Sequence, residues 1–112
     1  MNSSSLQSIS VQEIYALSQR QPVEIIDVRT PEEFCEVRAA GVRHVPMDQL
    51  DPQQLLQSRT LDLEQPLYFI CHLGGRSARV CMAMTAAGYP NVVNVAGGTE
   101  AWEAAGLPVE RG

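Results

Sequence analysis

The sequence contains no lysine. Its eight cations are all arginine (Arg20, Arg29, Arg38, Arg43, Arg59, Arg76, Arg79 and Arg111), set against 13 acidic residues for a formal net charge of −5. That absence removes Schiff-base chemistry, covalent attachment of pyridoxal phosphate and the phosphate-gripping lysine of a P-loop. Aromatic residues are scarce as well, at 5% of the 112 positions. An acidic chain with few aromatics and no basic run has no electrostatic footprint for a nucleic-acid backbone. Long apolar runs are missing too: none approaches the roughly 20 residues that span a bilayer. Met1–Gln7 has neither the cationic start nor the apolar stretch of a signal peptide, and reads as a loose tail before one domain over residues 8–112. A chain this long buries roughly two-thirds of its unfolded surface and needs no covalent staple. The simplest reading is a soluble, cytoplasmic protein with no membrane or nucleic-acid partner.

Cysteine is limited to Cys35, Cys71 and Cys81, an odd count that argues against a disulfide framework. Cys71 and His72 are adjacent, Cys81 lies ten residues on in an apolar segment, and no C-x-x-C or H-x-x-x-H pair occurs. No metal site is therefore expected, and at least one thiol is free for chemistry.

What is present is an alternation of short β-branched runs with helical segments, the pattern of βαβ units and a mainly parallel sheet. Ser10-x-x-Glu13 is a capping box opening a helix that turns Ile14 and Leu17 inward. Val23–Asp27 reads as a buried central strand. Thr30 caps a short helix with Pro31 at its first position and Glu33 closing a second capping box. His44–Pro46 forms a short strand, and Asp51 with Pro52 opens a helix through about Arg59. Leu67–Ile70 is a second clear strand and Asn91–Val95 a third. Between them Ser77–Ala87 is apolar on most of its circumference, which predicts burial between the sheet and its neighbours, with Gly88 as its stop. Gly97-Gly98 leads into a last helix, Thr99–Ala105.

Chemistry is expected at the carboxyl end of a parallel strand, where a strand-to-helix turn exposes N–H groups. The turn here is Cys71-His72-Leu73-Gly74-Gly75-Arg76-Ser77. Its glycines allow successive N–H groups to converge into an anion-binding nest, the helix start adds about half a positive charge, and Arg76 adds a cation. All three favour the thiolate of Cys71. A pKa below that of a free cysteine raises the ionised fraction at neutral pH. The same cradle suits an anionic ligand on the sulfur, such as a persulfide or an oxyanion. The bland alternative is a small buried hydrophobe at a strand end, which the two glycines, the arginine and the following helix argue against.

Three segments together resemble the rhodanese family of sulfurtransferases over about residues 8 to 108. They are Cys71-x-x-Gly74-x-Arg76-Ser77, Ile26-Asp27-Val28-Arg29 with Pro31-Glu32-Glu33-Phe34, and Asn91-Val92-Val93-Asn94-Val95 with Gly97-Gly98 and Ala101-Trp102. The resemblance implies a doubly wound α/β domain with a five-stranded parallel sheet flanked by helices. It also implies that Cys71 accepts a sulfane sulfur as a persulfide, from thiosulfate or a persulfidated small molecule or protein, and passes it to a thiol or cyanide. Neither metal nor organic cofactor is implied. Phosphatases and arsenate reductases with a similar cradle resemble Cys-x5-Arg, whereas four residues separate Cys71 from Arg76 here, which favours the sulfur-transferring branch. A non-catalytic interaction or sulfur-relay module is the remaining alternative.

The family often carries Gly-His-Ile where this chain has Val37-Arg38-Ala39, a change expected to alter a wall near the site. With no lysine to hold a dianion, free thiosulfate is expected to be a poorer donor than a persulfide. His72 is a candidate for tuning Cys71, although adjacent side chains on a tight loop usually point apart. Asp27 and Arg29 are expected to form an ion pair fixing their turn, in preference to touching substrate. Cys81 is expected in the core, Cys35 at a half-buried helical position or as a resolving thiol, His44 in a structural or exposed position, and Trp102 as the anchor of the last helix.

Overall fold

Capped helices and short apolar strands alternate along the chain as expected, and in the computed structural model, which describes residues 6–112, they wind around one parallel sheet. The strands are β1 (Ser8–Ile9), β2 (Glu24–Asp27), β3 (Arg38–Ala39), β4 (Arg43–His44), β5 (Leu67–Ile70), β6 (Val92–Val95) and β7 (Val109–Glu110). The helices are α1 (Val11–Ser18), α2 (Pro31–Glu36), α3 (Pro52–Gln57), α4 (Gly75–Ala86) and α5 (Gly98–Ala104). A five-stranded sheet runs in the order β1-β6-β5-β2-β4 with every pairing parallel. β5 is central, in register with Glu24–Asp27 on one side and with Val92–Asn94 on the other.

Strand side chains alternate between two apolar clusters, which is how the sheet comes to be covered on both faces. Ile26, Leu67, Phe69 and Val92 pack with Leu55 of α3 and with Val80, Cys81 and Met84 of α4. Ile25, Tyr68, Ile70 and Val93 face the other way, onto Val11 and Ile14 of α1 and Trp102 of α5. Trp102 is the expected anchor: its ring meets Tyr15 edge-on at 5.8 Å and its indole N–H donates to the Pro108 carbonyl.

Both expected capping boxes form, with Ser10 and Glu13 on α1 and Thr30 and Glu33 on α2. Several expectations need correction. Helix α4 buries only one stripe, Ser77, Val80, Cys81 and Met84, and leaves Arg79, Met82 and Ala83 to solvent, because one sheet face alone covers it. The short strand is Arg43–His44, beginning one residue and ending two residues earlier than expected, since only these two positions pair with β2. Of Val37–Ala39, Arg38 and Ala39 form β3, which pairs antiparallel with β7, and the Val37 carbonyl reaches the site region by accepting from Arg29. Positions 1–5 of the expected tail lie outside the described residues. Leu6 packs on the core, and the Gln7 carbonyl accepts from the Asn94 N–H.

Two buried arrangements fix the carboxyl end of the sheet. Asp27 and Arg29, both essentially inaccessible, form the expected ion pair, with Nε and Nη2 of Arg29 on the carboxylate. The Asp27 carboxylate also accepts from the Arg29 backbone N–H, which closes the turn. At the adjoining strand end, the start of α5 grips the chain after β5. The N–H groups of Thr99 and Glu100 donate to the carbonyls of Cys71 and His72 at 2.8 and 3.1 Å, and the Thr99 hydroxyl adds a bond to Cys71. Gly98 makes this approach possible: its φ is +63°, and a Cβ there would sit 2.5 Å from both carbonyl oxygens.

Gly98→Ala is therefore expected to cost more than about 2 kcal/mol, the left-handed backbone alone accounting for roughly 1–2 kcal/mol of it. A urea-unfolding midpoint unchanged from wild type would show that α5 does not clamp the loop. Asp27→Ala strands a buried guanidinium, so a loss of about 3–5 kcal/mol is expected in the same measurement.

Candidate active site

Strand β5 delivers Cys71 to the centre of the sheet's carboxyl end, and the chain turns at once into α4. The thiol is buried, at 1% exposure. Gly74 takes the left-handed conformation (φ +110°) as the N-cap of α4 and donates its N–H to Cys71 Sγ at 3.1 Å. Ser77, one turn into the helix, places its hydroxyl 3.2 Å from the same sulfur. The twelve-residue α4 thus begins against the sulfur with the positive end of its dipole.

Two effects oppose each other at Cys71. Burial raises the pKa of the thiol, and hydrogen bonds from the Ser77 hydroxyl and from the N–H groups of Ser77, Gly74 and Arg76 lower it. The bonds together prevail, and the group titrates below an ordinary cysteine. Cys81 has burial without the donors, and its thiol is pushed up to about 12. It packs in the core as expected. Cys35 is exposed on α2, because α2 buries none of its residues, and the expected half-buried position is corrected.

Behind the loop stands a residue with no role assigned from sequence, Asn94 of β6. Its Oδ1 lies 2.5 Å from the Ser77 hydroxyl, where it and Cys71 Sγ compete for the one hydroxyl proton, and its Nδ2 donates to the Gly74 carbonyl at 3.2 Å. One amide therefore ties both residues that contact the sulfur. The signal was available: Asn94 is the single polar position in Val92–Val95, and a buried amide in a central strand needs partners.

The cations are placed differently from the expected arrangement. Arg76 contributes its N–H at Cys71, but its guanidinium forks onto Glu33, with Nη1–Oε1 at 2.8 Å and Nη2–Oε2 at 2.9 Å. Glu33 Oε1 also accepts from the N–H and hydroxyl of Thr30. Chiefly through the Arg76 bonds, and against some burial, its pKa falls to about 2. The sequence marked Glu33 as a helix cap and left this second partner unseen, because the two residues are 43 positions apart. His72 and Leu73 are exposed, and among the described residues no hydrogen bond joins the His72 ring to Cys71. His44 is structural, stacked on Phe34 at 4.1 Å with Nε2 at the Arg29 carbonyl. Beside the loop an open cleft of about 540 Å³ runs between Val28, Pro31, Pro46 and Met47, with Asp48 and Arg76 among its lining residues. Among the described residues no cluster of metal-binding side chains occurs.

Comparison with known proteins agrees with this geometry. Residues 10–105 match the rhodanese-like domain family. A thiosulfate sulfurtransferase, GlpE, from Actinobacillus succinogenes is 31% identical over 102 residues, which is 91% of this chain and 88% of that protein. A putative sulfur carrier protein, YrkF, from Bacillus subtilis is 29% identical, and the chain spans 53% of its length. The crystal structure of a rhodanese-like domain protein from Staphylococcus aureus superposes with a TM-score of 0.70 at 33% identity, covering 87% of this chain and 91% of that one. With the strand order, the Cys71 turn and these matches in agreement, the chain belongs to the rhodanese-like domain family.

Proposed function

We propose that this protein is a sulfurtransferase in which Cys71 carries the transferred sulfur as a persulfide. The observation that supports this most directly is a buried sulfur receiving hydrogen bonds from the Gly74 N–H and the Ser77 hydroxyl at the start of α4. Donors aimed at the sulfur stabilise the attacking thiolate, and after transfer the nest of loop amides faces the negative charge of the new terminal sulfur.

The reaction is a pair of displacements at sulfur. The Cys71 thiolate attacks the outer sulfur of the donor and the donor's S–S bond breaks. Thiosulfate then leaves as sulfite, and a persulfide leaves as its thiolate, each with the bonding electron pair. The acceptor, cyanide or a thiolate, attacks the terminal sulfur on Cys71 and departs as thiocyanate or a new persulfide, and the Cys71 thiolate returns. Charge is conserved in each step and no external oxidant is required. No cofactor enters this scheme. His72, Leu73, Gly74, Gly75, Arg76 and Ser77 form the rim, and Asp27 and Arg29 act at a distance by fixing the neighbouring strand end. Phosphatase chemistry fits less well. Arg76 is committed to Glu33, and the four-residue spacing makes a small ring around a single sulfur.

Incubation with a sulfane donor followed by intact-mass measurement is expected to show a gain of one sulfur on wild type and none on Cys71→Ser. A gain that survives the substitution would remove Cys71 from the reaction. The pH dependence follows from the lowered pKa of Cys71. The thiolate form, and with it the rate of iodoacetamide alkylation at Cys71, should rise through a midpoint below the roughly 8.5 of a free cysteine and plateau above it. Ser77→Ala removes a donor to the charged form, so its midpoint is expected to move upward. An unmoved midpoint would show that the hydroxyl does not stabilise the thiolate.

A further inference from the structure

A cysteine loop that takes sulfur from a small dianion needs net positive charge at its mouth, and this chain has few means of supplying it. No lysine exists, and Arg29 is buried against Asp27. Arg76, the cation within the loop, presents both terminal nitrogens to Glu33. The pair is only about a third exposed on each side, so solvent screens it incompletely. Glu33 in turn is not free to swing aside. Thr30 donates to it twice as the N-cap of α2, and Arg76 donates twice more. The adjoining cleft continues the pattern: its walls include Val28, Pro31, Pro46 and Met47, and its exposed charge beyond the Arg76 pair is Asp48.

We propose that Glu33 is a specificity-determining residue: by clamping Arg76 it cancels the loop's cation, disfavours dianionic donors such as thiosulfate, and reserves Cys71 for monoanionic persulfides on an uncharged, apolar carrier. This rests on the sulfurtransferase reading above. The physical basis is Coulombic. A dianion brought to the loop meets the Glu33 carboxylate at nearly the range at which it meets the Arg76 guanidinium, so attraction and repulsion largely cancel. A persulfide carries a single charge on its terminal sulfur, one S–S bond from the Cys71 Sγ that the Gly74, Arg76 and Ser77 N–H groups bond. Its uncharged carrier can lie along the apolar wall of the cleft, where the Asp48 carboxylate does not repel it. In the transfer the Cys71 thiolate attacks the sulfane sulfur of the persulfide, the S–S bond breaks, and the carrier leaves as a thiolate that takes a proton from water.

The test compares single-turnover sulfur loading of Cys71 by thiosulfate and by the persulfide of N-acetylcysteine methyl ester, an uncharged carrier. It is run above the thiolate midpoint so that ionisation of Cys71 does not contribute. Glu33→Gln keeps the side-chain length and the capping role of the position and deletes the charge. The expected result is a rise in the thiosulfate rate constant of about 5- to 10-fold at low salt that shrinks as salt is added, with the persulfide rate changed by less than about twofold. Should Glu33→Gln fail to fold, the wild type carries the test: with the Arg76 cation cancelled, its thiosulfate rate constant is expected not to fall as salt is added, and a steep fall would overturn the role of Glu33. An unchanged thiosulfate-to-persulfide ratio in folded Glu33→Gln would overturn it too and leave sulfur transfer standing. If neither donor loads wild-type Cys71, the sulfurtransferase reading itself falls, and this inference with it.

Discussion

Everything at the carboxyl end of the sheet serves one constraint: a sulfur atom has to be buried and still be able to hold a negative charge. Burial alone drives a thiol the other way, as Cys81 within α4 shows, with its pKa pushed up to about 12. Cys71 escapes that fate because the chain turns directly beneath it and points N–H groups and a hydroxyl at the sulfur. The two cysteines lie on adjoining elements of one apolar cluster, so their difference comes from the local donors and not from the depth of the core.

The donors are only as useful as their placement is rigid, and the rigidity comes from elements far along the chain. Asn94 holds the Gly74 carbonyl and the Ser77 hydroxyl from β6. The start of α5 holds the Cys71 and His72 carbonyls from behind, at a distance that only a glycine at position 98 permits. On the other flank the buried Asp27–Arg29 pair closes the turn after β2 and holds the Val37 carbonyl. Most of these contacts are hydrogen bonds to backbone groups, and none of them brings a net charge to the loop. The field at Cys71 is therefore built from dipoles, which fall off within a turn of helix and favour a single charge close by.

Much of the fold was legible because it rests on local rules. Ser10 with Glu13 and Thr30 with Glu33 announce helix starts, and Leu67–Ile70 reads as a buried strand from composition alone. The Cys71 turn was legible for the same reason, since glycines after a strand and before a helix have few other uses. The parts that were not legible depend on what meets what across the fold. The exposure of Met82 and Ala83 on α4 follows from the sheet covering one face of the helix, which the sequence of α4 does not specify. Leu6 and Gln7 look like tail, and become structure because the core receives Leu6 and the Asn94 N–H donates to the Gln7 carbonyl. The partner of the Arg76 guanidinium was hidden for a related reason: Glu33, which meets it in space, lies 43 positions away in the chain.

That last point reaches beyond a single ion pair. Glu33 is the capping residue that closes the start of α2, so the carboxylate that silences Arg76 is held in place by the helix it caps. A mobile surface glutamate would give a time-averaged, salt-sensitive effect of little consequence. One fixed by four donors acts as a permanent part of the loop's electrostatics. Local capping chemistry at residues 30–33 and the charge environment of a cysteine some forty residues away are thus one arrangement. A substitution that spares the helix but removes the charge separates them, and only such a substitution distinguishes a carboxylate that shapes donor choice from one that merely caps a helix.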